Sequence, residues 1–488
     1  MTFNSIPFAL FLLCVVVFYN IVPQRWRAVL LLVTSYVFYV INSGVYAVFL
    51  GLVTVITYFG AIFIKNSEQQ KKGLLASCIV LTLSFLAFFK YTNFAITVWN
   101  DLSSLWNGSP LNLLHIIVPV GISFYTFVAV GYLIDVYRGK SDPERNIIRY
   151  ALFISYFPAI LSGPIERSTT LMPQLQQLGR TRYENAREGF YLLLWGLFYK
   201  VVIADRLALC ANAIFSDVYA FHGLSLLVGS LAYTFQIYFD FAGYTYMALG
   251  VSQFFNIRLT NNFNKPYLAV SLTDFWRRWH ITLTSWFRDC LYIPLGGNRV
   301  APLKWAVNVM IVFLVSGLWH GAFYTFIIWG GLHGLVQVIE KFLIPKKELR
   351  TGLDRGNYLV IRCLRVVLTF CIVSAAWVFF RAGSVSDAWH VIAGACTLND
   401  YSLSGLMGAN GTSVMFGMSL FDTVLSVLFV LFAIIMELCV GEKSDGLFFP
   451  HSMEHKPRVV KWAIAIVLSV TILWFGKLGV SEFVYFNF

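Results

Sequence analysis

Two tryptophan-histidine pairs, Trp279-His280 and Trp319-His320, stand in strongly apolar surroundings and carry side chains suited to moving a proton. His320 lies in Leu314-Val315-Ser316-Gly317-Leu318-Trp319-His320-Gly321-Ala322. An ionisable group in such a stretch is costly to bury and marks function by default. An imidazole titrates near ~6.5 in water and desolvation favours its neutral form, so His320 can take a proton from a hydroxyl as a general base. The competing reading is a histidine that closes an interhelical hydrogen bond. Gly317 and Gly321, four apart, put bare backbone on one helix face, which permits close helix contact or leaves room for a substrate.

His280 belongs to the segment Asp274 to Asp289. At a helical period, Phe275, Trp276, Trp279, Leu283, Trp286 and Phe287 gather on one face, and Asp274, Arg277, Arg278, Ser285, Arg288 and Asp289 on the other. The pattern predicts one amphipathic interfacial helix. It is either a plain anchor at headgroup level or, with the break Pro294-Leu295-Gly296-Gly297-Asn298-Arg299 behind it, an entrance for a phosphate-bearing donor. Trp276, Arg277, Arg278, Trp279, Asn298, Arg299 and Trp319 are the candidate donor-binding or substrate-binding residues, together with Asp240. Asp240, in Tyr238-Phe239-Asp240-Phe241, either pairs with a basic partner or lines a polar cavity. His333 lies thirteen positions after His320 and, on one uninterrupted helix, points away from it, which makes it structural. His115, His222, His390, His451 and His455 occupy segment ends or loops and take no role.

The elements that hold these residues belong to a membrane. Of 488 residues 58% are hydrophobic and 12% charged, and no soluble chain of this length needs so much apolar material. A bilayer span takes roughly 17 to 25 apolar residues. Such runs recur at about Phe8 to Val22, Ala28 to Ile41, Val45 to Ile64, Leu74 to Phe89, His115 to Ile134, Tyr150 to Leu161 and Gly189 to Ala204. Others follow at Leu224 to Phe254, Trp305 to Leu335, Leu359 to Phe380, Leu420 to Cys439 and Trp462 to Trp474. The runs from Leu224 and from Trp305 are too long for one span each, and a substrate chamber belongs there rather than in the featureless early spans.

The net charge of +12 comes from Lys and Arg between the apolar runs, as the positive-inside rule requires, and displays no basic face for nucleic acid. Arg25 and Arg27 follow the first span, which reads as a retained span and puts the amino terminus outside the cytoplasm. The eight cysteines show no Cys-x-x-Cys or Cys/His metal spacing, so no metal is expected. There is no Gly-x-Ser-x-Gly elbow, Walker loop or His-Glu-x-x-His, and direct transfer through a base fits better than a covalent serine intermediate.

At these residues the chain resembles the bacterial branch of the membrane-bound O-acyltransferases, the alginate O-acetyltransferase-like branch. The matching stretches are Val118 to Phe127 continuing to Asp135-Val136-Tyr137-Arg138-Gly139, Phe157-Pro158, Ser162-Gly163-Pro164-Ile165-Glu166-Arg167, Asp274 to Arg299, and Ser316 to Ala322. The resemblance implies an all-α polytopic membrane protein, residues 1–488 as a single domain: a motif-bearing core at about 115–335 and peripheral transmembrane helices at 1–114 and 336–488. It implies a ring of tilted helices around a membrane-spanning tunnel, with re-entrant and interfacial amphipathic helices. His320 matches the family's general base and His280 its second, more variable histidine. No cofactor is bound; acetyl-CoA or another acyl thioester is the donor substrate. The implied partners are membrane lipid, an extracytoplasmic serine esterase-like (SGNH-type) protein and a polysaccharide acceptor such as alginate or cellulose, in a bacterial cytoplasmic (inner) membrane.

Peptidoglycan is the alternative acceptor for the same chemistry. A transporter or flippase would show related halves and several facing intramembrane charges, whereas the sequence has one Asp and the two Trp-His pairs. A non-catalytic anchoring subunit would leave a histidine in apolar surroundings without a reason. Tyr91 to Pro110 and Thr397 to Ser419 are the expected partner-contact segments.

Overall fold

The computed structural model describes residues 1–343, 355–397, 414–415, 418–439, 457–477, 479 and 483–484. These residues are almost entirely helical, apart from one short two-stranded pairing, Val414–Met415 with Met418–Ser419. Eight helical stretches among them are long and apolar enough to cross a membrane, and three shorter apolar helices accompany these. The exposed side chains of those helices are largely Leu, Val, Ile and Phe, as hydrocarbon-facing surfaces require. The chain is therefore an all-α polytopic membrane protein.

The chain forms two compact units, residues 1–193 with 247–260, and residues 194–246 with 261–488. The first contains α1 (Ile6–Ile21), α2 (Gln24–Ser43), α3 (Ala47–Asn66), α4 (Lys71–Leu86), α5 (Thr92–Ser104), α6 (Ile122–Tyr137), α7 (Ile147–Ser155), α8 (Phe157–Ile160) and α9 (Ser168–Gln176). It also takes most of α10 (Tyr183–Leu197). The second contains α11 (Asp205–Ser216), most of α12 (Leu224–Gln253), α13 (Leu272–Arg278), α14 (Ile281–Phe287), α15 (Pro302–His320) and α16 (Tyr324–Leu343). It continues with α17 (Arg355–Arg381), α18 (Val385–Ala395), α19 (Leu420–Cys439) and α20 (Arg458–Phe475).

Two expected spans differ. The run from Leu224 is one unbroken helix of 30 residues, about 45 Å at 1.5 Å per residue, and can cross a bilayer only obliquely or with its ends outside the hydrocarbon. The run from His115 becomes helical only at Ile122. Pro119 disfavours helix at Val118 and cannot donate its own amide, and Gly121 takes a left-handed φ of +77° before α6 begins. The non-helical strip before it is held by two side chains of α5. Asn100 pairs with the backbone N–H and C=O of Leu111 at 2.7 and 2.9 Å, and Asn93 does the same at Leu114 at 2.9 Å each. Seven residues apart, the two side chains share one face of α5, and each closes a two-bond ring on one residue of the strip.

The motif Ser162 to Arg167 packs inside the first unit. Arg167 pairs with buried Asp135 at 2.6 Å, and Glu166 accepts from the Thr260 amide at 2.6 Å and the Thr170 hydroxyl at 2.9 Å. Burial pushes the Glu166 carboxyl above its ordinary range against those hydrogen bonds. Arg27, read from the sequence as a topology-setting charge, is buried and donates to the carbonyls of Tyr19 and Leu178.

Candidate active site

All the candidate site residues lie in the second unit. His320 is the last residue of α15, where the amide of Gly321 closes the helix onto Gly317 O at 3.1 Å. The chain turns at 321–323 and returns as α16, so the long apolar run is a helical hairpin. Its two arms meet backbone to backbone. A Cβ at Gly317 would lie 2.3 Å from the carbonyl oxygen of Phe326, and one at Gly330 would lie 2.3 Å from that of Phe313. The glycines near His320 therefore serve close helix contact rather than open space.

The turn also changes the position of His333. It sits on a separate helix antiparallel to the one that carries His320, so the argument that set it apart on one uninterrupted helix does not hold. His320 and His333 both pack on the indole of Trp329, with ring centroids 5.0 and 4.9 Å away. His280 reaches the same group through Trp319, 6.2 Å from His280 and 4.9 Å from His320. Trp276 completes the series 5.2 Å from His333 and donates its Nε1–H to His333 Nδ1 at 3.3 Å. Histidines and tryptophans thus alternate in space, drawn from α13, α15, α16 and the link between α13 and α14. From α17, Trp377 stacks on Trp329 at 5.6 Å and Phe380 stands 5.4 Å from His320. His280, His320 and His333 are 0, 2 and 1% exposed.

The expected helix from Asp274 to Asp289 is broken in the middle. Trp279 is extended, and His280 takes a left-handed φ of +42° between α13 and α14. The break needs neither Gly nor Pro because residues 262–264 run beside it and take over the lost backbone bonds. Ile281 N donates to Asn262 O at 3.0 Å, Asn264 N donates to Arg278 O at 2.9 Å, and Asn262 Oδ1 accepts from the Thr282 amide and hydroxyl at 3.1 and 2.6 Å. His280 Nδ1 lies 3.4 Å from that same Oδ1. A bulky residue held at positive φ costs about 1–3 kcal/mol and persists where its surroundings over-determine it, as they do here. The six aromatic and aliphatic residues assigned to the inner face are all buried.

The polar candidates lie away from the cluster, on α13 and in the turn ahead of α15. Arg277, Asn298 and Arg299 are exposed. Arg278 pairs with Asp274 at 2.9 Å, and Asn298 accepts from the Tyr292 hydroxyl, which accepts in turn from Trp305 Nε1 at 2.8 Å. Lys341 places its ammonium 3.4 Å from the centre of the Trp305 ring, and Glu340 caps α13 by accepting from Leu272 N at 2.6 Å. The start of α13, the start of α15 and the end of α16 therefore share one end of the hairpin, and His320 occupies the other. From Glu340 the segment 272–280 passes His333 with Trp276 and reaches Trp319 with His280.

Asp240 takes the first of its two readings. It is buried and paired with Lys200 at 2.7 Å, which also holds Asp205 at 2.8 Å, and its second oxygen accepts from Val484 N at 2.8 Å. Sequence reasoning passed over Lys200, Asn262, Trp329, Trp377 and Phe380. The spacing of Trp329 to His333, four apart on one helix face, is the signal that was present. Among the described residues no group of three or more His, Cys, Asp or Glu comes together to hold a metal ion. Most of the expected contact segment from Thr397 to Ser419 lies outside the described residues.

Residues 144–379 match the family model of the membrane-bound O-acyltransferases. A probable alginate O-acetylase of Azotobacter vinelandii is 34% identical over the whole of both chains. One from Pseudomonas aeruginosa is 38% identical over 86% of this chain and 79% of its own. A peptidoglycan O-acetyltransferase of Helicobacter pylori is 33% identical over 96% of this chain and 92% of its own.

Proposed function

This chain belongs to the membrane-bound O-acyltransferase family, in the branch of the alginate O-acetylases, and we propose that it moves an acetyl group from cytoplasmic acetyl-CoA to an extracytoplasmic polysaccharide. The chemistry is direct transfer. His320 takes the proton of the incoming hydroxyl as its oxygen attacks the thioester carbonyl, the C–S bond breaks, and the departing thiolate recovers the proton from the imidazolium. The observation that carries this is His320 itself, buried at a helix end between Trp319, Trp329 and Phe380, where a neutral imidazole is shielded from bulk water.

Arg277 and Arg299, with Lys341 at the same end of the hairpin, are the phosphate-binding groups for the donor, and Trp276, Trp279 and Trp319 the walls along which its acyl arm reaches His320. Such a basic end belongs on the cytoplasmic side of a bacterial cytoplasmic membrane, and the same rule applied to Arg25 behind the first span puts the amino terminus outside. An SGNH-type partner hands the group to the polymer. The alginate O-acetylase relatives favour an exopolysaccharide; the Helicobacter pylori relative makes peptidoglycan the second acceptor to test.

The test is transfer of labelled acetyl from acetyl-CoA by the protein in lipid nanodiscs, with an SGNH-type partner and alginate oligosaccharides or peptidoglycan fragments supplied. His320→Ala is expected to lower the rate by roughly 10²- to 10⁴-fold while the melting temperature holds. Equal activity in folded wild type and variant, or none in either, overturns the assignment.

A further inference from the structure

His333 is buried at the heart of the cluster, and the direction of the hydrogen bond it shares with Trp276 fixes its chemistry. An indole N–H can only donate, so His333 Nδ1 is the acceptor and the neutral ring carries its proton on Nε2. That Nε2 is buried and meets no hydrogen-bond partner among the described residues. Its neighbours are apolar rings: Phe275 stacked at 6.3 Å with an interplanar angle of 7°, Phe313 at 6.3 Å and Trp377 at 6.3 Å. A buried donor with nothing to give to is costly, and its persistence calls for an explanation outside the folded chain. The same ring shares Trp329 with His320, where an acyl carbon is attacked.

We infer that His333 is a further catalytic residue, whose Nε2–H donates a hydrogen bond to the acyl carbonyl oxygen of the thioester, and that Trp276 is the positioning residue that holds it in the donating tautomer. The inference rests on the acyl-transfer reading above. As the acceptor oxygen bonds to the carbonyl carbon, the C=O electron pair moves onto oxygen, and the Nε2–H bond shortens toward that developing charge. When the C–S bond breaks the pair returns, and His333 keeps its proton throughout. His320 shuttles the proton; His333 holds still and stabilises the anion.

The experiment compares two variants matched in length, His333→Gln and His333→Met, in nanodiscs, with acetyl-CoA and the acceptor that wild type uses. His333→Met should lower kcat roughly 10²- to 10³-fold, as loss of one preorganised donor does, with KM for acetyl-CoA nearly unchanged. His333→Gln, which keeps a donor, should recover at least about tenfold of that loss, and Trp276→Phe should sit between wild type and Met. Wild type that transfers acetyl while Met and Gln are equally active, or equally impaired at equal melting temperature, overturns the inference and leaves the reading of His320 standing. Wild type inert with every acceptor, the SGNH-type partner included, overturns both.

Discussion

Around Lys200, charge meets charge: Asp205 at 2.8 Å, Asp240 at 2.7 Å, and the Val484 amide on the remaining Asp240 oxygen. Around His320 the ring neighbours are Trp319, Trp329 and Phe380, and around His333 they are Phe275, Phe313, Trp276, Trp329 and Trp377. Both groups are buried in the same unit, and both set ionisable side chains against the cost of desolvation. The ion cluster sets its charges against one another inside the unit. The histidine cluster holds neutral rings among aromatic walls and keeps a donor in reserve. Polarity at membrane depth therefore has two forms, and the difference lies in where the hydrogen bonds end.

Breaking the ion cluster should produce the largest effect on stability. Lys200→Met strands two buried carboxylates and is expected to cost about 3–5 kcal/mol, read as a fall in melting temperature with activity lost in step. Replacing all three members together, with Asp205→Asn and Asp240→Asn, should be milder, because no charge is left stranded. A Lys200→Met protein that melts like wild type but does not transfer acetyl would move Asp240 back toward the substrate.

Next in size, Gly317→Val pushes a side chain into the Phe326 carbonyl and should cost about 1–3 kcal/mol with a disproportionate loss of turnover, since the hairpin sets where His320 stands. Full activity in that variant would mean that the seam does not set the site. The smallest effect should come from Arg277→Ala combined with Arg299→Ala, exposed groups whose loss leaves the cluster intact. KM for acetyl-CoA should rise roughly tenfold with kcat retained, and a fall in kcat instead would place these arginines in the chemistry.

Composition and apolar runs foretold the polytopic helical fold, because hydrocarbon leaves a chain few ways to satisfy its backbone. His280 and His320 stood out in the sequence for the same reason: a titratable group in an apolar run has a short list of uses. What stayed hidden depended on contacts between distant segments. The kink at His280 is imposed by residues 262–264, and nothing within Asp274 to Asp289 announces it. On one uninterrupted helix His333 points away from His320, and Gly321-Ala322-Phe323 holds no proline to mark the hairpin turn that brings it back. Asp240 could not be assigned before Lys200, forty residues earlier, was placed beside it.

The strip ahead of α6 also fixes a boundary that no side chain announces. Asn93 and Asn100 answer only the N–H and C=O of Leu114 and Leu111, and the strip's remaining backbone lies outside any helix or sheet. Lipid tails can satisfy no backbone group, so that stretch must stand among headgroups or water. The exposed side chains of Leu111, Leu113, Leu114 and Ile117 point instead toward something oily. A segment with those two demands can rest only at the seam of the bilayer, and it marks on the protein the depth at which the membrane ends.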